Sequence, residues 1–249
     1  MQALLNSLKG MPSLLLDALM PPQYLICNAV VEAPGNLFAA CFSEVNFVTP
    51  PICQSCGVPL DATISDDLLC GECVREHPVF TRARAVFLYE SKSRSLVLKL
   101  KHGDRTDAAA HLAKWLKRSG TALLETCDVI VPVPLHKWRM FMRTYNQSAL
   151  LANALGKLAG VSVEANALVR KKATQSQGGL GRAARRQNVA KAFDVRAPGR
   201  FDGKRVLLID DVLTTGATAN ACASTLLRAG AANVDLLVLA RVPLLTAGY

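Results

Sequence analysis

The sequence predicts an α/β fold: a parallel sheet with helices on both faces, preceded by a small cysteine-rich module. Three observations carry this reading. Arg205–Ile209 and Val234–Ala240 are apolar runs, as strands buried on both faces are. Segments of helical length lie between the apolar runs. Two Cys-x-x-Cys pairs, Cys53/Cys56 and Cys70/Cys73, stand in a stretch with little apolar periodicity.

In chain order, residues 1–50 form an N-terminal segment. Leu4, Leu8, Leu15 and Leu19 fall near helical spacing, which predicts an amphipathic docking helix. Pro12, Asp17 and the Pro21-Pro22 pair interrupt this run, so it cannot span a bilayer. With one cation, Lys9, and no small-residue cleavage site before the prolines, it also makes a poor signal peptide. Composition changes near Pro50, and residues 51–78 are Cys-rich and turn-rich. The main domain, residues 79–249, opens with a β-rich run, Thr81–Tyr89. Helices are predicted at roughly Ser93–Leu100 and Thr106–Arg118, then a short buried strand, Asp128–Pro132. A helix from about Tyr145 to Leu158 ends at Gly160, a suitable C-terminal cap. Between the last two strands lies a helix, Ala217–Ala229, closed by Gly230.

The chain has 249 residues, 51% hydrophobic and 19% charged, which suits a globular protein and excludes a disordered one. Its formal net charge of +10 favours anionic partners: nucleic acid, phosphorylated metabolites or an anionic membrane. Between Ala165 and Phe193 stand seven basic residues and no acid. By itself this segment reads as a solvated basic face or a nucleic-acid patch. Absent targeting signals and unpaired-type cysteine usage place the chain in the cytoplasm, where thiols stay reduced.

That leaves the eight cysteines to explain. Cys53, Cys56, Cys70 and Cys73 are two knuckles thirteen residues apart, able to offer four thiolates to a tetrahedral Zn²⁺. Gly57 and Gly71 ease the turns beneath the metal. A closed four-thiolate site is structural, and zinc binding to such a site is worth about 10–16 kcal/mol, enough to fold an apolar-poor segment. Cys27 and Cys41 could pack as apolar residues or bind a metal poorly, with packing the favoured reading, and Cys127 and Cys222 are read as core residues. The histidines, His77, His102, His111 and His136, show no ligand spacing.

The densest chemistry lies at 206–218, Val-Leu-Leu-Ile-Asp-Asp-Val-Leu-Thr-Thr-Gly-Ala-Thr. Four apolar residues build a central strand, and Asp210 and Asp211 emerge at its C-terminal end, the edge where open α/β sheets bind ligands. Thr214, Thr215, Gly216, Ala217 and Thr218 then turn into a helix. Glycine permits close backbone approach, the hydroxyls donate, and the helix N-terminus carries about half a positive charge. The outcome is a phosphate cradle with two carboxylates about one ribose away, fit to accept from sugar hydroxyls or to help hold hydrated Mg²⁺. The chain lacks a Gly-x-x-x-x-Gly-Lys-Ser/Thr loop and a Gly-x-Gly-x-x-Gly fingerprint, which excludes the usual triphosphatase and dinucleotide readings.

These thirteen residues resemble the phosphoribosyl-pyrophosphate (PRPP) signature of type I phosphoribosyltransferases. The resemblance implies that Asp210 and Asp211, the catalytic candidates, engage the ribose hydroxyls. It places the 5′-phosphate on Thr214, Thr215, Gly216, Ala217 and Thr218, with Mg²⁺ accompanying PRPP. Thr214 stands where purine-salvage members often carry an acid, so purine salvage is not implied. On the pyrophosphate side, the loop after Val131 offers Lys137, Arg139 and Arg143. Arg170, Lys171, Lys172, Arg182 and Arg185, around the hinge glycines Gly178, Gly179 and Gly181, suit a lid that closes over a bound anion and excludes water.

Further pieces narrow the resemblance to the ComF competence proteins. They are Val131-Pro-Val-Pro-Leu135, Arg143-Thr-Tyr-Asn-Gln-Ser148, Leu98-Lys-Leu-Lys-His-Gly103, and the spaced set Arg170, Thr174, Gln177, Leu180, Arg185 and Asn188. Members often complete further Cys-x-x-Cys pairs around Cys27 and Cys41, where this chain has Tyr24 and Phe38. The resemblance implies a PRPP-binding domain behind a zinc module, linked to nucleotide metabolism and to handling DNA taken up in natural transformation. Two functional classes stay open. One is a phosphoribosyltransferase that displaces pyrophosphate at C1 of PRPP. The other is a non-catalytic PRPP sensor or single-stranded DNA-binding protein, with DNA-uptake or helicase proteins as partners.

Overall fold

The strands form where aliphatic side chains repeat without polar interruption, and the helices where small and apolar residues recur every three to four positions. The computed structural model describes residues 44–60, 68–102, 107–135, 145–171, 192–197 and 199–243. A short helix, α1 (Gly71–Arg75), lies in the cysteine module. Then follow β1 (Ala83–Leu88), α2 (Ser91–His102), α3 (Asp107–Ser119), α4 (Thr121–Leu124), β2 (Val129–Pro132) and α5 (Gln147–Ala159). The chain continues through β3 (Leu168–Arg170), β4 (Phe193–Val195), β5 (Arg205–Leu213), α6 (Ala217–Arg228) and β6 (Asn233–Arg241). Gly160 caps α5 in the left-handed region, as predicted (φ 72°).

The main sheet has four strands in the order β1-β6-β5-β2, each pairing parallel. The register places Leu208 opposite Leu236 and Val131 opposite Leu208. Strand geometry sends successive side chains to opposite faces, and that alternation builds two cores. Val206, Leu208, Leu236 and Val238 pack with Cys222, Ala223 and Leu226 of α6 and with the small antiparallel pair β3–β4. Leu207, Ile209, Leu237 and Leu239 pack with Leu100 of α2, Leu112 and Leu116 of α3 and Leu151 and Leu155 of α5. Helices therefore cover both faces, as the unbroken apolar strands require.

β1 lies at an edge of the sheet, and residues 46–48 cover it. The Val48 N–H donates to Val86 O (2.9 Å) and the Leu88 N–H to Asn46 O (2.8 Å). Phe47 packs edge-on against Trp115 of α3, ring centroids 5.6 Å apart. The end of the N-terminal segment is thus an added strand-like layer on the large domain, which closes an otherwise open row of backbone donors and acceptors. The predicted docking helix at residues 1–20 lies outside the described residues.

At the N-terminal edge of the sheet, away from the strand ends that carry the acids, Asp235 is buried (3% exposed). It accepts from Arg82 through the backbone N–H (3.1 Å) and Nη2 (2.9 Å). Arg82 reaches solvent, so losing the carboxylate strands one backbone donor rather than a fully buried charge. Asp235→Ala is expected to lower unfolding free energy by about 1–3 kcal/mol in urea titration, with ligand binding at the opposite edge unchanged.

Candidate functional site: a strand-end cleft against a four-cysteine centre

β5 runs farther than its aliphatic core suggests, through both acids to Leu213. Asp210 still pairs with Val238 in the ladder. Its Oδ1 accepts from Ser148 Oγ (3.0 Å) and from the Asp211 N–H (2.9 Å), so its orientation is fixed from two sides. After Leu213 the chain turns through Thr214 and Thr215 to Gly216, the N-cap of α6, at φ 77°. A Cβ is strained in that left-handed conformation, which is why glycine stands there. Among the described residues no side chain caps α6, so its start retains the capacity to bind an anion.

A cleft of about 300 Å³ opens above these strand ends, at the small end of the range for small-molecule sites. Asp210, Asp211, Thr214, Gly216, Ala217 and Thr218 line it together. Thr215 lines a separate cavity of about 80 Å³ on the cysteine-module side. Arg170, 8% exposed at the end of β3, also lines the cleft. Its guanidinium lies 5.4 Å from the Phe193 ring centroid, a cation–π contact that holds it in place. Between these groups the buried Cys222 thiol is pushed well up by burial, with Asp210 adding and Arg170 opposing. Lys171 points elsewhere and forms an exposed ion pair with Asp194. Lys137, Arg139, Arg143, Lys172, Arg182 and Arg185 lie outside the described residues.

Tyr89, Gln147 and Ser148 also line the cleft; the sequence reading quoted the last two only within the motif at 143–148, with no role of their own, and did not single out Tyr89. Ser148 comes closest to having been visible, because it follows Asn146, whose side chain accepts its N–H (3.1 Å) and caps α5.

The second centre is the cysteine module. The four Sγ atoms of Cys53, Cys56, Cys70 and Cys73 lie within 4.8 Å of one another, and all four residues are buried. Cys56 and Cys70 Sγ are 3.6 Å apart. A ZnS₄ tetrahedron with bonds of about 2.3 Å has edges of about 3.8 Å, so the residues fit a structural zinc ion. Gly57 is needed beneath it: its φ is 68°, and a Cβ there would stand 2.4 Å from Ala83 O. Gly71 is not, since a Cβ there would meet nothing within 4 Å and the residue simply begins α1. The expectation that both glycines relieve tight turns therefore holds for one of them. Cys27 and Cys41 lie outside the described residues.

Two arginines that sequence reasoning did not single out bind the module to the sheet. Arg84 donates to Gln54 O and Oε1 (3.1 Å each). Arg241, buried at the end of β6, donates to Cys56 O (2.7 Å) and Cys56 Sγ (3.3 Å). An arginine ending an apolar strand is the signal that could have marked it.

In the metal-free state burial pushes the Cys56 thiol up, partly opposed by Arg241, and pushes Cys73 up to about 12. Burial acts the same way on Cys53. There, however, N–H donors from Cys56 and Cys70 outweigh it and leave the thiol at about 7. Zinc must then displace protons from the raised thiols, so its affinity rises with pH. The purified chain is expected to carry zinc. Chelator competition should show tighter binding at pH 8 than at pH 6.5, and Cys56→Ser should lose the metal and lower the melting temperature.

Comparison with known proteins matches both centres. Residues 15–74 match the double zinc ribbon domain and residues 100–246, more than half the chain, the phosphoribosyl transferase domain. The DNA utilization protein YhgH of Escherichia coli O157:H7 is 34% identical over 195 residues, 76% of this chain and 84% of its own length. Competence protein F of Haemophilus influenzae is 30% identical over 215 residues, 84% of this chain and 92% of its own. Competence protein ComFC of Bacillus subtilis is 27% identical over 213 residues, 81% of this chain and 82% of its own. The chain therefore belongs to the ComF (competence protein F) family, a type I phosphoribosyltransferase fold behind a four-cysteine zinc-ribbon module.

Proposed function

We propose that the cleft binds PRPP with Mg²⁺ and that the chain is a phosphoribosyltransferase that displaces pyrophosphate at C1, working in the cytoplasm in DNA uptake. One observation carries the reading: two carboxylates at the end of a central strand open into the same cleft as an uncapped helix start. Thr214, Gly216, Ala217 and Thr218 receive the 5′-phosphate, with Thr215 shaping the loop from behind. Asp210 and Asp211 accept from the ribose hydroxyls, and Ser148 keeps Asp210 turned to do so. Bound Mg²⁺ would supply charge neutralisation for the diphosphate.

Arg170 offers a fixed cation to charge developing on the leaving group. In the sequence reading, Lys137, Arg139 and Arg143 belong to the same pole, and Lys171, Lys172, Arg182 and Arg185 to a closing lid. Among the described cleft residues the Asp210 carboxylate is held by Ser148 and the Asp211 N–H, so catalysis rests on positioning and charge rather than on a dedicated base. The printed names of the relatives, DNA utilization and competence proteins, support a place in DNA handling.

The net charge of +10 favours a second reading, direct binding of single-stranded DNA. Counterion release would make that binding fall steeply with salt, and flat salt dependence would remove it.

Asp211→Asn removes a charged acceptor while keeping shape, and it is expected to weaken PRPP binding by about tenfold or more in calorimetry with Mg²⁺. Unchanged affinity would overturn the assignment. Incubation with PRPP, Mg²⁺ and a panel of bases, amines and nucleic acids should release pyrophosphate with one acceptor class. Tight PRPP binding without release would make the protein a sensor.

A further inference from the structure

Arg241 ends β6 and is buried, at 4% exposed. Its side chain turns to the cysteine module: Nη1 donates to Cys56 O (2.7 Å) and Nη2 to Cys56 Sγ (3.3 Å). Its main chain belongs to the cleft. Leu213 faces it across the ladder, and its carbonyl accepts from the Tyr89 N–H (2.8 Å). Leu213 and Tyr89 both line the cleft. One residue therefore touches a sulfur of the four-cysteine centre and carries two parts of the cleft wall on its backbone.

Charge decides what that contact does. A guanidinium stays protonated at any working pH, so once buried it needs a counter-charge. The four sulfurs lie within 4.8 Å of one another and fit a zinc ion. Zinc held by four thiolates is negative overall, and Arg241 donates to one of those sulfurs. The loaded module thus compensates the buried cation. Removing the metal removes the compensation, and Arg241 must then seek solvent or another partner. Any such move pulls on Leu213 and on the turn that follows it.

The back of that turn also faces the module. A cavity of about 80 Å³ is lined by Cys56 and Cys73 of the module and by Thr214, Thr215 and Gly216 of the turn. Thr215 and Arg241 line it too, and Thr215 Oγ1 and Arg241 Nε are buried without a hydrogen-bond partner among the described residues. A seam with space and unpaired polar atoms is not locked by close packing. The hydrogen bonds of Arg241 therefore have a large say in how its two walls sit.

We infer that Arg241 is a positioning residue that couples the two centres. When the module holds zinc, Arg241 keeps the loop at 214–218 in its anion-binding form. When a phosphate monoester occupies the loop, the module in turn holds zinc more tightly. Coupling between two sites is reciprocal, so the two effects are one free energy. This rests on the reading of the loop as a 5′-phosphate site. It makes ligand binding in the cleft responsive to zinc supply, although the metal touches no ligand.

Chelator competition on the full chain, at one pH, gives zinc affinity with and without saturating ribose 5-phosphate. Ribose 5-phosphate is expected to tighten zinc about tenfold, and the metal-free chain to bind ribose 5-phosphate about tenfold more weakly in calorimetry. Circular dichroism of the metal-free chain separates this from a loss of folding. Arg241→Gln removes the cation and keeps a donor. Zinc and ribose 5-phosphate should each still bind it, with the effect of one on the other gone. Arg241→Lys keeps the cation and should retain part of the effect. Wild-type zinc affinity unchanged by bound ribose 5-phosphate would overturn this inference alone. So would coupling of full size in Arg241→Gln, or a metal-free chain that has lost its sheet, since stability by itself would then link the two ligands. A zinc-loaded wild-type chain that binds neither ribose 5-phosphate nor PRPP would overturn the wider reading of the cleft, and the coupling with it.

Discussion

The structure depends on the placement of β5 between β6 and β2. Both neighbours pair with it in parallel, and both of its faces are buried, Val206 and Leu208 under α6, Leu207 and Ile209 under α2, α3 and α5. A strand enclosed in this way cannot slip by one residue, because every side chain would exchange one core for the other. That constraint fixes the height at which Asp210 and Asp211 leave the core and the point from which the loop to Gly216 must turn. Two negative charges at the edge of an apolar strand are tolerated because Ser148, the Asp211 N–H and the open cleft satisfy them.

The zinc module joins this frame through the same strand ends. Arg241 faces Leu213 across the ladder, and Leu213 is the last residue before the loop at 214–218. The Val242 N–H donates to Leu213 O (2.9 Å), and Arg241 itself binds Cys56. On the other side of the loop, the Val79 N–H donates to Asn220 Oδ1 (2.8 Å) on the first turns of α6. The four-cysteine centre thus braces the back of the loop at 214–218 rather than hanging from the domain as a separate bead. Among the described residues its own apolar complement is small, Val58 with Leu60 and Leu69, so a bound zinc ion would supply much of its order.

Arg170 shows how position can convert an unremarkable residue into part of a site. In the sequence it is one of seven bases in a run without acids, and although the family resemblance picks it out, charge and composition do not separate it from Lys171. The antiparallel pairing of β3 with β4 puts Arg170 opposite Phe193, inward and over the ring, while Lys171 goes outward to Asp194. One residue of strand geometry separates a cleft cation from a surface ion pair.

What the sequence determined by itself is everything that depends on neighbours in the chain. The apolar runs announced strands buried on both faces. Asp210-Asp211 and the Thr-Gly turn announced a strand end that carries two carboxylates and turns into a helix start. The Cys-x-x-Cys pairs announced a four-sulfur centre, and Gly160 announced the end of a helix. Each is a matter of periodicity, backbone freedom or ligand spacing over a few residues. The tertiary structure alone decided which distant groups meet these features. Ser148 reaches Asp210 across 62 positions and Arg241 reaches Cys56 across 185. Gln147 enters the cleft, and Thr215 turns to the zinc side. Such meetings follow from strand order and helix packing, which arise from the burial of whole faces at once, so no local pattern at either residue can record its partner.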